Sequence, residues 1–259
     1  MKRKLFIDTG HSVKYPGANG FKSEVELVRQ IAEKLYPLLD TTYWDVIKVP
    51  DVYPGENSPS SSLIKRIRWI NDNGDSNDVL ISIHANSAER PEKRPGESEQ
   101  DYQKRLLVFL NKARGVETCY YSGSQQSKEE ALRLSKAVST ATGMPLFNDG
   151  LMGDAEGRFG RLGMIRDTQP FSLLVECGFV SNKEDMLIDP TLVARGIANY
   201  LNSYNHMPET PTTQPDELSI ALQELNKRQV IKDISNPHRQ VSLAEVALIV
   251  YRNDHNPKN

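Results

Sequence analysis

The sequence predicts an α/β fold: a mostly parallel twisted sheet flanked by helices, followed by a small α-helical C-terminal segment. Short apolar runs of strand length occur at 5–8, 45–49, 79–83, 116–121 and 171–175. Between them lie stretches whose apolar residues recur at helical spacing. Strands alternating with helices in this way point to βαβ units and a largely parallel sheet.

Leu5-Phe6-Ile7-Asp8 reads as a short buried strand leading to Gly10-His11. After a loop of Pro, Gly and Asn, a helix starts near Ser23, with Leu27, Val28, Ile31, Leu35 and Leu38 on one face. Residues 45–49 form a second strand, and Leu63, Ile64, Ile67 and Ile70 mark a second helix. The strand at 79–83 ends at His84. Residues 88–114 are rich in Glu, Lys, Arg and Pro and then amphipathic around Leu106, Leu107, Phe109 and Leu110. They read as an inserted loop and helix, with Ser98 as its N-cap. A strand at 116–121, a helix at 127–142, a strand at 171–175 ending at Glu176, and a helix at 191–204 complete the series.

The expected organisation is a main domain over 1–206, a linker over 207–215 and a small helical module over 216–259. The linker is rich in Pro and Thr. The module carries two short apolar stripes, one of Leu218, Ala221, Leu222 and Leu225, the other of Leu243, Val246, Ala247 and Val250. So short a segment cannot bury both stripes by itself, so it is expected to dock, self-associate or bind a partner through 216–252.

Composition narrows the class. Of 259 residues, 38% are hydrophobic and 25% charged, which suits a globular chain with a real core. A formal net charge of -2 gives no global field for nucleic acid or an anionic membrane. The basic start Met1-Lys2-Arg3-Lys4 is followed by three apolar residues and then Asp8. A secretory signal needs roughly 7–15 apolar residues there, and a transmembrane helix about 18 or more. The expectation is synthesis in the cytoplasm without a recognisable signal peptide. The two cysteines, Cys119 and Cys177, make neither a disulfide framework nor a CxxC pair and read as small buried hydrophobes.

Three polar residues follow three apolar strands: His11, His84 and Glu176. Ligands of open parallel α/β sheets bind beyond the carboxyl ends of strands, so these residues are expected at one edge. Two imidazoles with one carboxylate make a catalytic zinc set that leaves a fourth position for water, and a further carboxylate can then act as base. Glu24 and Glu26 both open the first helix. Ser23 followed three residues later by Glu26 fits a capping box. That reading gives Glu26 a structural task and favours Glu24 as the ligand.

The residues also carry a family resemblance. Asp8-Thr9-Gly10-His11-Ser12-Val13-Lys14-Tyr15-Pro16-Gly17-Ala18-Asn19-Gly20 resembles the opening D-x-G-H-G-G-x-x-P-G-A-x-G of zinc-dependent N-acetylmuramoyl-L-alanine amidases. Glu24 matches the second ligand of that family, and Ser82-Ile83-His84-Ala85-Asn86 is similar to its S-I-H-A-N motif, which supplies the third. Gly115-Val116-Glu117-Thr118-Cys119-Tyr120 resembles the strand after it. Leu174-Val175-Glu176-Cys177-Gly178-Phe179-Val180-Ser181-Asn182 resembles L-V-E-x-G-F-x-S-N, whose Glu is catalytic. Ser12-Val13 departs from the usual glycine pair, and the tail from 208 onward lies outside the resemblance.

The resemblance implies Zn²⁺ held by His11, Glu24 and His84, with Glu176 as acid/base. The implied reaction is hydrolysis of the amide between N-acetylmuramic acid and L-alanine in peptidoglycan, in an endolysin-like enzyme that acts on the cell wall after release or export. Arg166 lies near an arginine common before the last motif and is either a substrate-binding group or a solvated surface residue. Alternatives are a zinc carboxypeptidase or deacylase acting on another amide, and a non-catalytic wall-binding protein. The first lacks its usual H-x-x-E pair here, and the second predicts loss of a site residue, whereas all four are present. The module at 216–252 then becomes a candidate for cell-wall or self-association contact.

Overall fold

The computed structural model describes residues 2–88, 91–156 and 161–204. The expectations for the linker and the C-terminal module fall outside these residues. In chain order the elements are β1 (Arg3–Asp8), α1 (Glu24–Leu35), β2 (Trp44–Lys48), α2 (Pro59–Asn73), β3 (Val79–Asn86), α3 (Glu99–Lys112), β4 (Val116–Tyr120), α4 (Gln125–Thr142), β5 (Leu146–Gly153), α5 (Gly163–Arg166), β6 (Phe171–Phe179), α6 (Lys183–Met186) and α7 (Pro190–Ser203). The strands form one sheet in the order β2-β1-β3-β6-β4-β5.

The pairs β2–β1, β1–β3 and β3–β6 are parallel. Between β6 and β4 the direction reverses, and β5 then pairs parallel to β4. The sheet is therefore mixed, with a parallel majority. An apolar run signals a strand but not its direction, which is set by the connection: β4 follows α3, inserted after β3, and enters the sheet beyond β6.

β5 is an element that sequence reasoning does not supply. Its Asn148, Asp149 and Gly150 adopt positive φ (45°, 56° and 83°), a backbone more usual in turns than in strands. The turn-like backbone lies inside the strand as a bulge, where the register jumps from Val116↔Leu146 to Thr118↔Leu151.

Two apolar layers hold the sheet. On one face Ile7, Ile81, Ile83, Val116 and Val175 pack with Ile31 of α1, Leu134 of α4 and Ile197 of α7, all buried. On the other, Phe6 and Leu80 pack with Ile70 of α2 and Met164 of α5. Alternation along each strand assigns the faces: Leu80, Ser82, His84 and Asn86 share one side of β3. Full burial of one such aliphatic side chain stabilises by about 1.5–3 kcal/mol. Cys119 and Cys177 are buried free thiols whose pKa values burial pushes up. No helix among the described residues is long and apolar enough to cross a membrane.

Candidate functional site

His11 sits in the loop after β1, on a turn begun by Gly10 at φ +61°. Ser12, where the resembled pattern has glycine, closes the next turn, its hydroxyl accepting from the Tyr15 amide at 3.2 Å. Glu24 is the first residue of α1 and is buried. Its Oε2 accepts from the Ala18 amide at 2.8 Å. Its Oε1 lies 3.0 Å from His11 Nε2, 3.2 Å from His84 Nδ1 and 3.2 Å from the Ala85 amide. Burial pushes the Glu24 carboxyl up, yet the bonds and charges of His11 and His84 outweigh it and hold the group well below the usual carboxylate range.

Glu24 faces the sheet as expected, but not because of a capping box. The Ser23 side chain makes no cap bond, and Glu26 is exposed. Loop carbonyls satisfy the first helical amides instead: Glu24 N donates to Ala18 O at 3.0 Å and Val25 N to Pro16 O at 3.3 Å. Helical phase does the rest. Residues two apart lie about 200° apart around the axis, so burying Glu24 with Val25 and Val28 turns Glu26 to solvent. Gly17 completes the loop: a Cβ there would stand 2.5 Å from both Glu24 Oε2 and His11 Cδ2.

His84 and Glu176 do not follow their strands but lie within them, β3 and β6 each running several residues further than expected. They are register partners, and Glu176 is also the register partner of Glu117 on β4. His84, Glu176 and Glu117 thus form one row across three strands on one face. Glu176 Oε2 is buried without a hydrogen-bond partner. Burial first, then the charges of Glu24 and Glu117, raises the Glu176 pKa well above the ordinary value. Glu117 accepts from Asn86 Nδ2 at 2.7 Å and from Asn148 Nδ2, in the β5 bulge, at 3.1 Å. Burial also raises its pKa, against those two bonds. Glu117 is a carboxylate inside an apolar strand, a signal visible in the sequence; Asn148 had none.

Facing donor atoms of His11, Glu24 and His84 all lie within 4.8 Å of one another. Zinc bonds of about 2.0–2.1 Å in tetrahedral geometry put ligand atoms about 3.4 Å apart. The two histidine–Glu24 separations, 3.0 and 3.2 Å, are close to that, and the donors are those of an open His₂Glu site. The residues therefore fit the metal.

Arg166 is placed elsewhere. Its Nε donates to Asp154 Oδ2 at 2.6 Å, and its guanidinium lies 5.2 Å from the Tyr121 ring centroid. Tyr121 is four residues beyond Glu117, about 13 Å at strand rise. The structure brings His11, Glu24, His84 and Glu176 together and leaves Arg166 outside that group.

Residues 5–188 match the family described as N-acetylmuramoyl-L-alanine amidase. An uncharacterised cell wall amidase of Bacillus anthracis is 27% identical over 187 residues, covering 71% of this chain and 31% of that protein. The chain thus matches about a third of the length of that relative. Among solved structures, an N-acetylmuramoyl-L-alanine amidase of Clostridium difficile 630 aligns with a TM-score of 0.58 and 22% identity, covering 79% of this chain and 97% of that one. The catalytic domain of CwlV, an N-acetylmuramoyl-L-alanine amidase of Bacillus (Paenibacillus) polymyxa, aligns with a TM-score of 0.55 and 25% identity, covering 80% and 99%. With a match over most of its length, the chain belongs to the N-acetylmuramoyl-L-alanine amidase family.

Proposed function

We propose that this protein hydrolyses the amide joining the lactyl group of N-acetylmuramic acid to L-alanine in peptidoglycan, with zinc held by His11, Glu24 and His84. The observation that carries the reading is the row of His84 and Glu176 beside a convergent His₂Glu set. Zinc, when bound, supplies Lewis acidity, polarising a carbonyl and lowering the pKa of water to about 7.

The chain's own residues divide the remaining work. Glu24 is oriented by the Ala18 and Ala85 amides, so its carboxylate is fixed before any ligand arrives. Glu176, with a raised pKa and a free Oε2, takes a proton from the attacking water as its oxygen bonds to the carbonyl carbon. As the carbon–nitrogen bond breaks, Glu176 gives that proton to the alanine nitrogen, leaving a lactyl carboxylate and a free amine. The substrate lies outside the cytoplasmic membrane, so the chain acts after release or export.

Incubating purified protein with peptidoglycan, with and without chelator, tests the reading. The expected products are new L-alanine amino termini and intact glycan strands, lost on chelation. New reducing sugar ends, new amino termini other than alanine, or activity indifferent to chelator would overturn it.

A further inference from the structure

Beneath the ligands lies a buried ion pair that the reaction does not use. Asp8 ends β1 and is 1% exposed; Arg66, on α2, is 5% exposed. Asp8 Oδ1 lies 3.3 Å from Arg66 Nη1. Asp8 Oδ2 accepts from Ser82 Oγ at 2.5 Å and from the Gly10 amide at 3.3 Å. Burying such a pair carries a desolvation cost that two apolar side chains would avoid. The adjacent layer of Phe6, Leu80 and Ile70 is apolar and fully buried, so apolar residues here would simply extend it.

The partners of Asp8 indicate what the pair does. The Gly10 amide begins the turn that presents His11. A Cβ on Gly10 would lie 3.0 Å from both Cε1 and Nε2 of His84, so the same turn packs against the His84 ring. Ser82 is two residues before His84, on the same side of β3. One carboxylate therefore bonds the backbone just before one histidine and the strand beneath the other. The two rings stand 5.0 Å apart.

We infer that Asp8, held by Arg66, is a positioning residue that sets the spacing of His11 and His84 and thereby the metal affinity of the site. The inference rests on the ligand set proposed above. Groups that orient metal ligands typically change affinity about ten- to a hundredfold when replaced.

The test uses the full chain and two readouts other than turnover: the zinc dissociation constant by chelator competition, and the absorption spectrum of the cobalt(II)-substituted protein. Asp8→Asn and Arg66→Met are expected to weaken zinc binding about ten- to a hundredfold and to alter the cobalt spectrum. Arg66→Lys, which keeps the charge, should recover most of the affinity. Ser82→Ala removes one bond and leaves the pair, so it carries the test if Asp8→Asn does not fold; a smaller weakening of the same sign is expected. Ile70→Val, in the same layer, controls for stability and should bind zinc normally. Unchanged affinity and spectrum in the Asp8, Arg66 and Ser82 variants would overturn the inference, as would an equal loss in Ile70→Val. Zinc retained by His84→Ala would instead overturn the ligand set itself.

Discussion

Glu117 and Glu176 stand directly opposite each other on the antiparallel strands β4 and β6, two carboxylates with no cation paired to either among the described residues. Like charges in directly opposed positions destabilise a sheet, and burial adds to that cost. Such an arrangement persists where function requires it. Its consequences can be read from stability, from pH and from turnover separately.

Glu176→Gln removes the charge and keeps the shape. Activity is expected to fall by at least about a hundredfold, the scale of a positioned acid/base, while zinc content stays unchanged. The metal-free variant should be more stable than the unaltered protein at neutral pH by about 0.5–2 kcal/mol, as when a costly active-site group is relieved. The folded-state pKa of Glu176 is raised, so its contribution is most favourable below the unfolded value of about 4.3 and is lost as pH rises towards the folded value. The stability difference should therefore be small near pH 4 and grow towards neutrality. Melting temperatures of chelated protein across that range check this, and a variant less stable at pH 7 would contradict it.

Glu117→Gln tests the coupling between the two carboxylates. Glu117 is one cause of the raised Glu176 pKa, after burial and Glu24. Removing its charge lets Glu176 ionise at lower pH, so the acid limb of the kcat/KM profile should move towards acid. Gln can keep only one of the bonds that Asn86 and Asn148 make to Glu117, so some loss of stability is also expected. An unmoved acid limb would show that the two groups do not communicate.

The metal prediction separates Glu24 from its neighbour. Glu24→Ala and His84→Ala should each lose zinc by elemental analysis. Glu26→Ala should retain about one zinc per chain, because Glu26 is exposed on the far side of α1. Metal lost from the Glu26 variant but kept by the Glu24 variant would reverse the assignment.

Three residues of the proposed chemistry, His11, His84 and Glu176, are legible in the sequence because apolar strands lead to them, and Glu24 because it opens the helix that follows the first of those strands; that part of the pattern is one-dimensional. What is not legible arises from competition in three dimensions. Ser23 and Glu26 satisfy a capping pattern, but the Ser23 side chain makes no cap bond, and the helix start is held instead by the Ala18 and Pro16 carbonyls, which accept from the Glu24 and Val25 amides. Asn148 and Asp149 do take turn-like φ values, yet pairing with β4 on both sides of them makes the segment a bulged strand. The Asp8–Arg66 pair joins residues 58 positions apart, with nothing in either neighbourhood to announce the other.

A chain ending at residue 206 should still hydrolyse a small soluble muropeptide, since every proposed site residue precedes that point. If the module at 216–252 contacts the cell wall, full-length protein will pellet with whole wall more than the truncated form. Equal pelleting would remove wall targeting, and an unchanged solution mass would then remove self-association.

The insertion at 88–114 is tied to the site at both ends. At its start the Ala88 amide donates to Ser181 Oγ at 2.9 Å. At its end Asn182 Nδ2 donates to the carbonyls of Leu110, Asn111 and Ala113, which close α3. Both anchors belong to the turn that follows the strand of Glu176. α3 is capped by Ser98, as expected, and buries Leu106, but leaves Leu107 and Val108 exposed at 59% and 57%. Those two side chains contribute little to folding, and the anchoring of the insertion to the turn after the Glu176 strand leads to the prediction that α3 forms one wall of a substrate groove. Leu107→Ser with Val108→Ser should change stability by no more than about 0.5 kcal/mol, as exposed substitutions do. The KM for intact peptidoglycan should rise while turnover of a small soluble muropeptide stays the same. Unchanged kinetics on intact wall would mean that α3 does not border the substrate groove.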